Sequence, residues 1–335
     1  MRARGGTALA LVVVGLAGCT GEPTDTAEET GSQTADRVAE QLMQVTSAHE
    51  ATGGTLLEGP TIGEDGKLYV VDVMAPAGEP KVMRIDRETQ EIETVFTDET
   101  SALTSAQFSP VDGRLYATDY RGSILSMTAD GADMRTEFSG EIEGQVMQAD
   151  DLTFGSDGTM YVTDTTGSLG PGWETPGRVV RISNEGEASV LASDLPSPNG
   201  IVFDEDEAGL YVAQYNANRI DYMALDETGE TVTAAHPAIY VSPGRARIDS
   251  TAVDSAGNIY QAFHHATRIE VYSPDGSELA TITVPESEAA GLDSATNIAI
   301  EPGTTDGYIT ISGEDGGMIY TFDALAEGSL HSNGG

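Results

Sequence analysis

Cysteine is all but missing from this chain. Cys19 is the only one among 335 residues, so no internal disulfide can brace the fold, and packing, closed topology or a bound metal must hold it together. Basic residues are scarce as well. Sixteen Lys and Arg stand against 55 Asp and Glu, a formal net charge of -39, and Lys67 and Lys81 are the only lysines. A surface so acidic repels a phosphate backbone, which excludes nucleic acid as a partner. It suits a salt-adapted exterior and equally a plain solvated one. Nor is there an apolar run long enough to cross a bilayer: residues 8–16 are apolar but far too short.

That short run is instead part of an export signal. Arg2 and Arg4 precede it and Leu16-Ala17-Gly18-Cys19 follows, a tetrapeptide that resembles a bacterial lipobox, whose Cys is lipidated and becomes the new N-terminus. An ordinary cleaved signal with an incidental Cys is the alternative. Residues 1–18 are thus read as a lipoprotein-type signal peptide, Cys19 as the lipidation site, 19–38 as a flexible tether poor in apolar residues, and 39–335 as the folded domain. The expected location is outside the cytoplasm, at the outer face of the cytoplasmic membrane or cell envelope, with lipid as the only membrane attachment.

The domain is built from a repeat. A short apolar run, a Gly or Asp turn, and an apolar residue followed by Tyr recur with Tyr at 69, 116, 161, 211, 260 and 308, spacings of 47, 45, 50, 49 and 48 residues. A period of about 40 to 50 residues marks propeller blades. Within the fifth copy, residues 250–253, 259–262, 268–272 and 279–284 read as strands separated by Ser255-Ala256-Gly257-Asn258 and Pro274-Asp275-Gly276 turns. The last copy has only three convincing strands, and residues 41–46 can supply the fourth. The expected fold is therefore all-β, a six-bladed β-propeller of four-stranded blades whose ring is closed by an N-terminal strand, which removes exposed sheet edges. A helix at 35–43 is the competing local reading.

Eleven residues before each Tyr, or twelve in the fourth copy, stand Glu58, Ser105, Asp150, Asn199, Asp249 and Asn297, all with oxygen-bearing side chains. These positions open the first strand of each blade, the one nearest the axis, so they form a ring at one mouth of the central channel. Such residues also merely begin strands after turns. In register, however, three carboxylates and two amides without Cys or His suit a hard cation, Ca²⁺ above all, with other divalent ions possible. Without an ion, Glu58, Asp150 and Asp249 repel one another.

The chain resembles the senescence-marker-protein, gluconolactonase and luciferin-regenerating-enzyme-like propellers, and among them the bacterial drug-responsive calcium-dependent lactonases. The residues that carry the likeness are Leu57-Glu58-Gly59-Pro60, Asp150-Asp151-Leu152 with Thr163-Asp164, Pro198-Asn199-Gly200-Ile201, Asp249-Ser250 followed by Asp254 and Gly257, Ala295-Thr296-Asn297, and Gly317-Met318-Ile319-Tyr320, over about residues 50 to 330. The resemblance implies a channel cation, commonly Ca²⁺, held by Glu58, Asn199 and Asp249. The family's remaining ligand is often the Asn of an Asn-Asp pair; here Asp150 precedes Asp151, and the two stay open as ligands. It further implies hydrolysis of a lactone or related small ester, with the cation as Lewis acid and Asp249 as general base, Asp151 in reserve.

Ser105 and Asn297, the other ring positions, are assigned to substrate. So are residues of the loops that follow each second strand: Trp173 in the long 165–177 loop read as a flap, His264 and His265, and Tyr215, with Tyr120 and Arg121 shaping the rim. A non-catalytic calcium-containing propeller, serving as a ligand-binding or cell-envelope interaction module, is the alternative function, and phosphotriester hydrolysis on the same site is a third. The natural substrate and the oligomeric state are left open.

Overall fold

The computed structural model describes residues 35–334. The expected signal peptide 1–18, the lipidation site Cys19 and the tether as far as residue 34 lie outside the described residues. The described chain is all β apart from one three-residue 3-10 turn, Leu330–Ser332.

Four consecutive stretches fold as antiparallel four-stranded meanders. Their first strands are Leu57–Ile62, Leu103–Phe108, Ala149–Phe154 and Pro198–Phe203. Two further meanders begin with Arg247–Val253 and Leu292–Ile300 and are merged into a nine-stranded sheet, partly through a single pairing of Phe263 with Ala295. A small hairpin joins Glu141–Ile142 to Gln145–Val146. Each first strand packs against the next, and the last packs against the first. The arrangement is that of a β-propeller.

Burial grades from the first strand outward. Leu57–Ile62 is buried at every position, while the fourth strand of the same sheet, Ile92–Thr97, is exposed or half-buried throughout. The repeated Tyr explains how one sheet grips its neighbour. Tyr69 meets Phe108 edge-on with ring centroids 5.0 Å apart, Tyr116 meets Phe154 at 5.1 Å, and Tyr161 meets Phe203 at 5.1 Å. In each case the partner ends the first strand of the following sheet, and such pairs add about 0.5–1.5 kcal/mol beyond area burial. Tyr211 with Val253, Tyr260 with Ile300 and Tyr308 with Ile62 share core clusters in the same relation, the last linking the final sheet to the first.

The N-terminal strand forms as expected. Glu40–Thr46 runs antiparallel to Gly316–Asp323, with Gln41 opposite Tyr320 and Gln44 opposite Met318. No helix forms at 35–43, because main-chain hydrogen bonds to open sheet edges outweigh a weak local propensity. The expected tether boundary moves: Ala35–Val38, placed in the tether, is a strand parallel to Glu278–Thr283. Such pairing uses backbone rather than side chains, and Val38 stays largely exposed, so composition alone carried no sign of it.

The C-terminal tail is no fourth strand, and it lies across the ends of the first strands. Asn333 donates from Nδ2 to Ile62 O at 2.9 Å and accepts the Ile62 amide on Oδ1 at 2.6 Å, while Thr61 donates to Asn333 O at 3.0 Å. Gln107 donates to Gly334 O at 3.2 Å, the Ser332 hydroxyl donates to Val253 O, and the ring of His331 packs on Phe203. Gly328 bridges Asp254 and Pro302.

Candidate functional site

The opposite ends of the first strands, where they begin, carry the ring residues. Each strand slips register at or beside its ring position: between Glu58 and Thr61, Leu103 and Ser105, Ala149 and Leu152, Pro198 and Ile201, Ile248 and Thr251, and Ala295 and Asn297. A bulge leaves an extra residue unpaired and re-aims its side chain. Two of the bulges hold glycine. Gly59 has φ 52°, and a Cβ there would stand 2.3 Å from the Ala106 nitrogen; one at Gly200 would stand 2.6 Å from the Thr251 nitrogen. Neighbouring strands thus close to backbone contact just behind Glu58 and Asn199. Buried side chains tie the bends together: Thr163 donates to Asn199 O at 2.7 Å, Thr104 to Ala149 O at 2.9 Å, and Gln261 to Asp249 O at 2.9 Å.

The bent strands open onto a cavity of about 240 Å³. Its polar wall is Glu58, Asp150, Asn199, Asp249 and His264; its apolar wall includes Leu56, Val73, Ala102 and Leu169, with Tyr120 and Tyr215 between. Glu58, Asn199 and Asp249 are buried, yet Glu58 Oε2, Asn199 Oδ1 and Asp249 Oδ2 have no hydrogen-bond partner. Asn199 donates from Nδ2 to Asp150 Oδ2 at 2.8 Å, which orients the amide. His264 Nε2 stands 2.7 Å from Asp249 Oδ2, at ion-pair distance. One ligand atom each from Glu58, Asp249 and His264 lie within 4.8 Å of one another, so an acidic and histidine cluster able to hold a metal ion is present.

The sequence of residues 56–310 matches the model of the SMP-30/Gluconolactonase/LRE-like region. The chain belongs to this family. Among curated relatives of this SMP-30-like protein is the Lactonase drp35 of Staphylococcus aureus, 28% identical over 293 residues, covering 82% of this chain and 85% of that protein. Among solved structures, a gluconolactonase from Xanthomonas campestris superposes with TM-score 0.66 at 21% identity over 85% of this chain and 97% of its own. Regucalcin from Agrobacterium tumefaciens, described as a calcium-binding protein, gives TM-score 0.69 at 16% identity over 89% of this chain and 99% of its own. At these identities the two structures bear on the fold.

The expected site residues of the SMP-30-like domain divide cleanly. Glu58, Asp150, Asn199, Asp249, Tyr215 and His264 meet at the cavity, and Asp150 rather than Asp151 is on its wall. Asp151 is buried off the wall, with Oδ2 unpartnered. Ser105 and Asn297, expected at substrate, are buried and are not among the lining residues, and Asn297 Oδ1 accepts the Ile298 amide at 2.7 Å. His265 is turned outward by a backbone φ of 62° and pairs with Asp293 at 2.9 Å. Trp173 is 85% exposed and off the wall, although Thr165, Ser168 and Leu169 of the same loop line it. Arg121 is tied by its amide to Asp119 at 3.1 Å and is not part of the wall.

The electrostatics follow from burying like charges. Burial pushes the Glu58 carboxyl well above the usual range, and the charges of Asp249, Asp151 and Asp150 push it further against a hydrogen bond from Thr296. Asp150 is raised by burial and then by Asp151 and Asp249, with His264 opposing. Burial raises Asp151 to about 7, a Ser250 hydrogen bond opposing and Asp249 adding. For His264, burial disfavours the charged ring, but Asp249 and then Asp150 and Asp293 outweigh it and raise the imidazole above its ordinary value. Sequence reasoning treated the ring as free of His. The missed signal is the antiparallel register, Arg247 opposite His264, which sets the end of one strand beside the start of its partner.

Proposed function

We propose that this protein is a divalent-cation-dependent hydrolase of a lactone or related small ester, carried on a six-bladed propeller and exported as a lipoprotein anchored through Cys19. The observation that carries the reading is the convergence on one cavity of three buried side chains whose oxygens Glu58 Oε2, Asn199 Oδ1 and Asp249 Oδ2 have no hydrogen-bond partner, the last being paired only with the His264 ring. Buried polar atoms are almost always satisfied. Three bare oxygens from three separate strands fit a single multivalent partner, and carboxylate and amide donors suit a hard ion such as Ca²⁺, with Mg²⁺ or Mn²⁺ as substitutes. Family membership and the likeness to Lactonase drp35 support a lactone as substrate.

Glu58, Asn199 and Asp249 would hold the ion, with Asp150 orienting the Asn199 amide. When bound, the cation supplies Lewis-acid polarisation of the ester carbonyl. Asp249, on the cavity wall, takes the proton from the attacking water on the carboxylate oxygen that the ion leaves free. Asp151, off the cavity wall, is the weaker candidate for that base. Half-buried Leu56, Val73 and Ala102 make one side of the cavity apolar, which strengthens charge interactions on the other. A volume of about 240 Å³ fits a small cyclic ester, being below the range of roughly 300–1,000 Å³ that accommodates drug-sized ligands. The 165–177 loop, three of whose residues line the cavity, serves as a flap over it.

The test is hydrolysis of a panel of lactones, with a phosphotriester alongside, in the presence and absence of chelator, for the wild type and Asp249→Asn. Turnover of a lactone that chelation abolishes, and that the folded variant lacks, supports the reading. Lactone hydrolysis indifferent to both treatments sinks the mechanism. A folded, metal-bound protein that turns over nothing makes it a binding module.

A further inference from the structure

We propose that His264 is a nitrogen ligand of the same centre, so that this chain's donor set favours Zn²⁺ over Ca²⁺. The inference rests on the cation site proposed above and refines which ion it takes.

Three observations carry it. The first is distance: the ligand atoms of Glu58, Asp249 and His264 all lie within 4.8 Å of one another, and donors about 2.0–2.3 Å from a tetrahedral zinc ion stand about 3.3–3.8 Å apart. Binding would draw the three inward around the ion. The second is pairing. His264 Nε2 and Asp249 Oδ2 are 2.7 Å apart, so the ring nitrogen already sits against a carboxylate of the cluster. The pairing holds the imidazole beside the oxygen with which it would share the ion. The third is support behind the ring. The Tyr215 oxygen stands 3.5 Å from His264 Nδ1 and its ring lies edge-on at 87°, the kind of outer partner that orients a ligating imidazole and leaves the other nitrogen to the metal.

Imidazole changes the selectivity of an oxygen site. Carboxylate, carbonyl and water suit Ca²⁺ and Mg²⁺, whereas imidazole suits Zn²⁺ and other late first-row ions. Two carboxylates and one histidine on zinc, with Asn199 beside them, leave room for a water or substrate in an open position. The adjacent histidine provides an internal control, since His265 faces Asp293 on the outside.

The experiment is calorimetric titration of the full chain with Zn²⁺ and with Ca²⁺, for wild type, His264→Gln, His265→Gln and Glu58→Gln, each checked for fold by circular dichroism. It is joined by pulsed EPR of the protein carrying one equivalent of Cu²⁺, which detects the remote nitrogen of a coordinated imidazole. The expected result is tighter binding of Zn²⁺ than Ca²⁺, a loss of roughly ten-fold or more in Zn²⁺ affinity for His264→Gln with Ca²⁺ little changed, and loss of the nitrogen signal in that variant alone among the two histidine changes. A signal absent from the wild type, or one that His264→Gln leaves intact, overturns the inference. So does an equal fall in both affinities, which would make His264 only an orienter of Asp249. If the wild type binds neither ion, or Glu58→Gln alters neither affinity, the cation site itself fails along with it.

Discussion

Where the first strands end, Asn333 answers both the amide and the carbonyl of Ile62, Gln107 holds Gly334 O while its other end accepts the Phe154 amide at 3.2 Å, and Ser332 caps Val253 O. Where the same strands begin, Glu58 Oε2, Asn199 Oδ1, Asp249 Oδ2 and Asp151 Oδ2 have no hydrogen-bond partner. Each such atom costs about 1–3 kcal/mol, more when charged. Apart from His331 Nδ1, the tail end thus meets its polar demands within the chain, while the other end gathers several open oxygens at one cavity. The difference teaches which end is structural and which awaits a ligand, since unsatisfied buried groups persist where function requires them.

The largest effect is expected at the open end. Asp249→Asn should lower kcat for lactone hydrolysis by about 10²–10⁴-fold, the usual worth of a general base, while the metal-free protein changes little in stability, since the repulsion of Glu58 and Asp150 and the pairing with His264 are lost together; steady-state rates and urea unfolding measure both. Destabilisation of that variant would make the open end structural too. At the closed end Asn333→Ala should do the reverse, costing about 1–3 kcal/mol in urea unfolding through the stranded Ile62 groups with kcat nearly unchanged. An intact stability and a lost activity would invert the comparison.

A smaller effect is expected from pH. Burial holds the His331 imidazole below 6.5 against the pull of Glu207 and Asp204, so between that lowered value and 6.5 the unfolded chain binds a proton that the folded chain refuses. Its contribution to stability is complete above about pH 6.5 and is lost as pH falls below it. The difference in unfolding free energy between wild type and His331→Gln, followed from pH 8 to 5, should shrink toward acid; a flat difference would show that His331 titrates alike in both states. The smallest effect is at Trp173, 85% exposed. Trp173→Ala should change stability by no more than about 0.5 kcal/mol, and a change in KM at constant kcat would be the sign that the flap folds onto substrate.

Much of this was legible in the chain. Tyr at near-constant spacing marked the repeats, because the contact it makes with the next sheet recurs in each. The oxygen ring was legible for the same reason, one position counted back from a fixed landmark. Residues 41–46 could be assigned to the last sheet because a repeat short of one strand implies a donor elsewhere. Other features lack such a mark. Ala35–Val38 pairs through its backbone, the tail holds its place through single polar side chains, and the parting of His264 from His265 turns on one left-handed residue.

The sequence by itself determined the all-β repeat, the acidic character and the set of oxygen-bearing residues from which a site could be drawn. Family membership rests on the match of residues 56–310. Only the tertiary structure decided which of those residues meet. Every first strand bulges at or beside its ring position, yet Glu58, Asp150, Asn199 and Asp249 line the cavity while Ser105 and Asn297 do not. His264 enters from the partner strand of the same hairpin: its distance from Asp249 is set by antiparallel register, which residue type alone does not record.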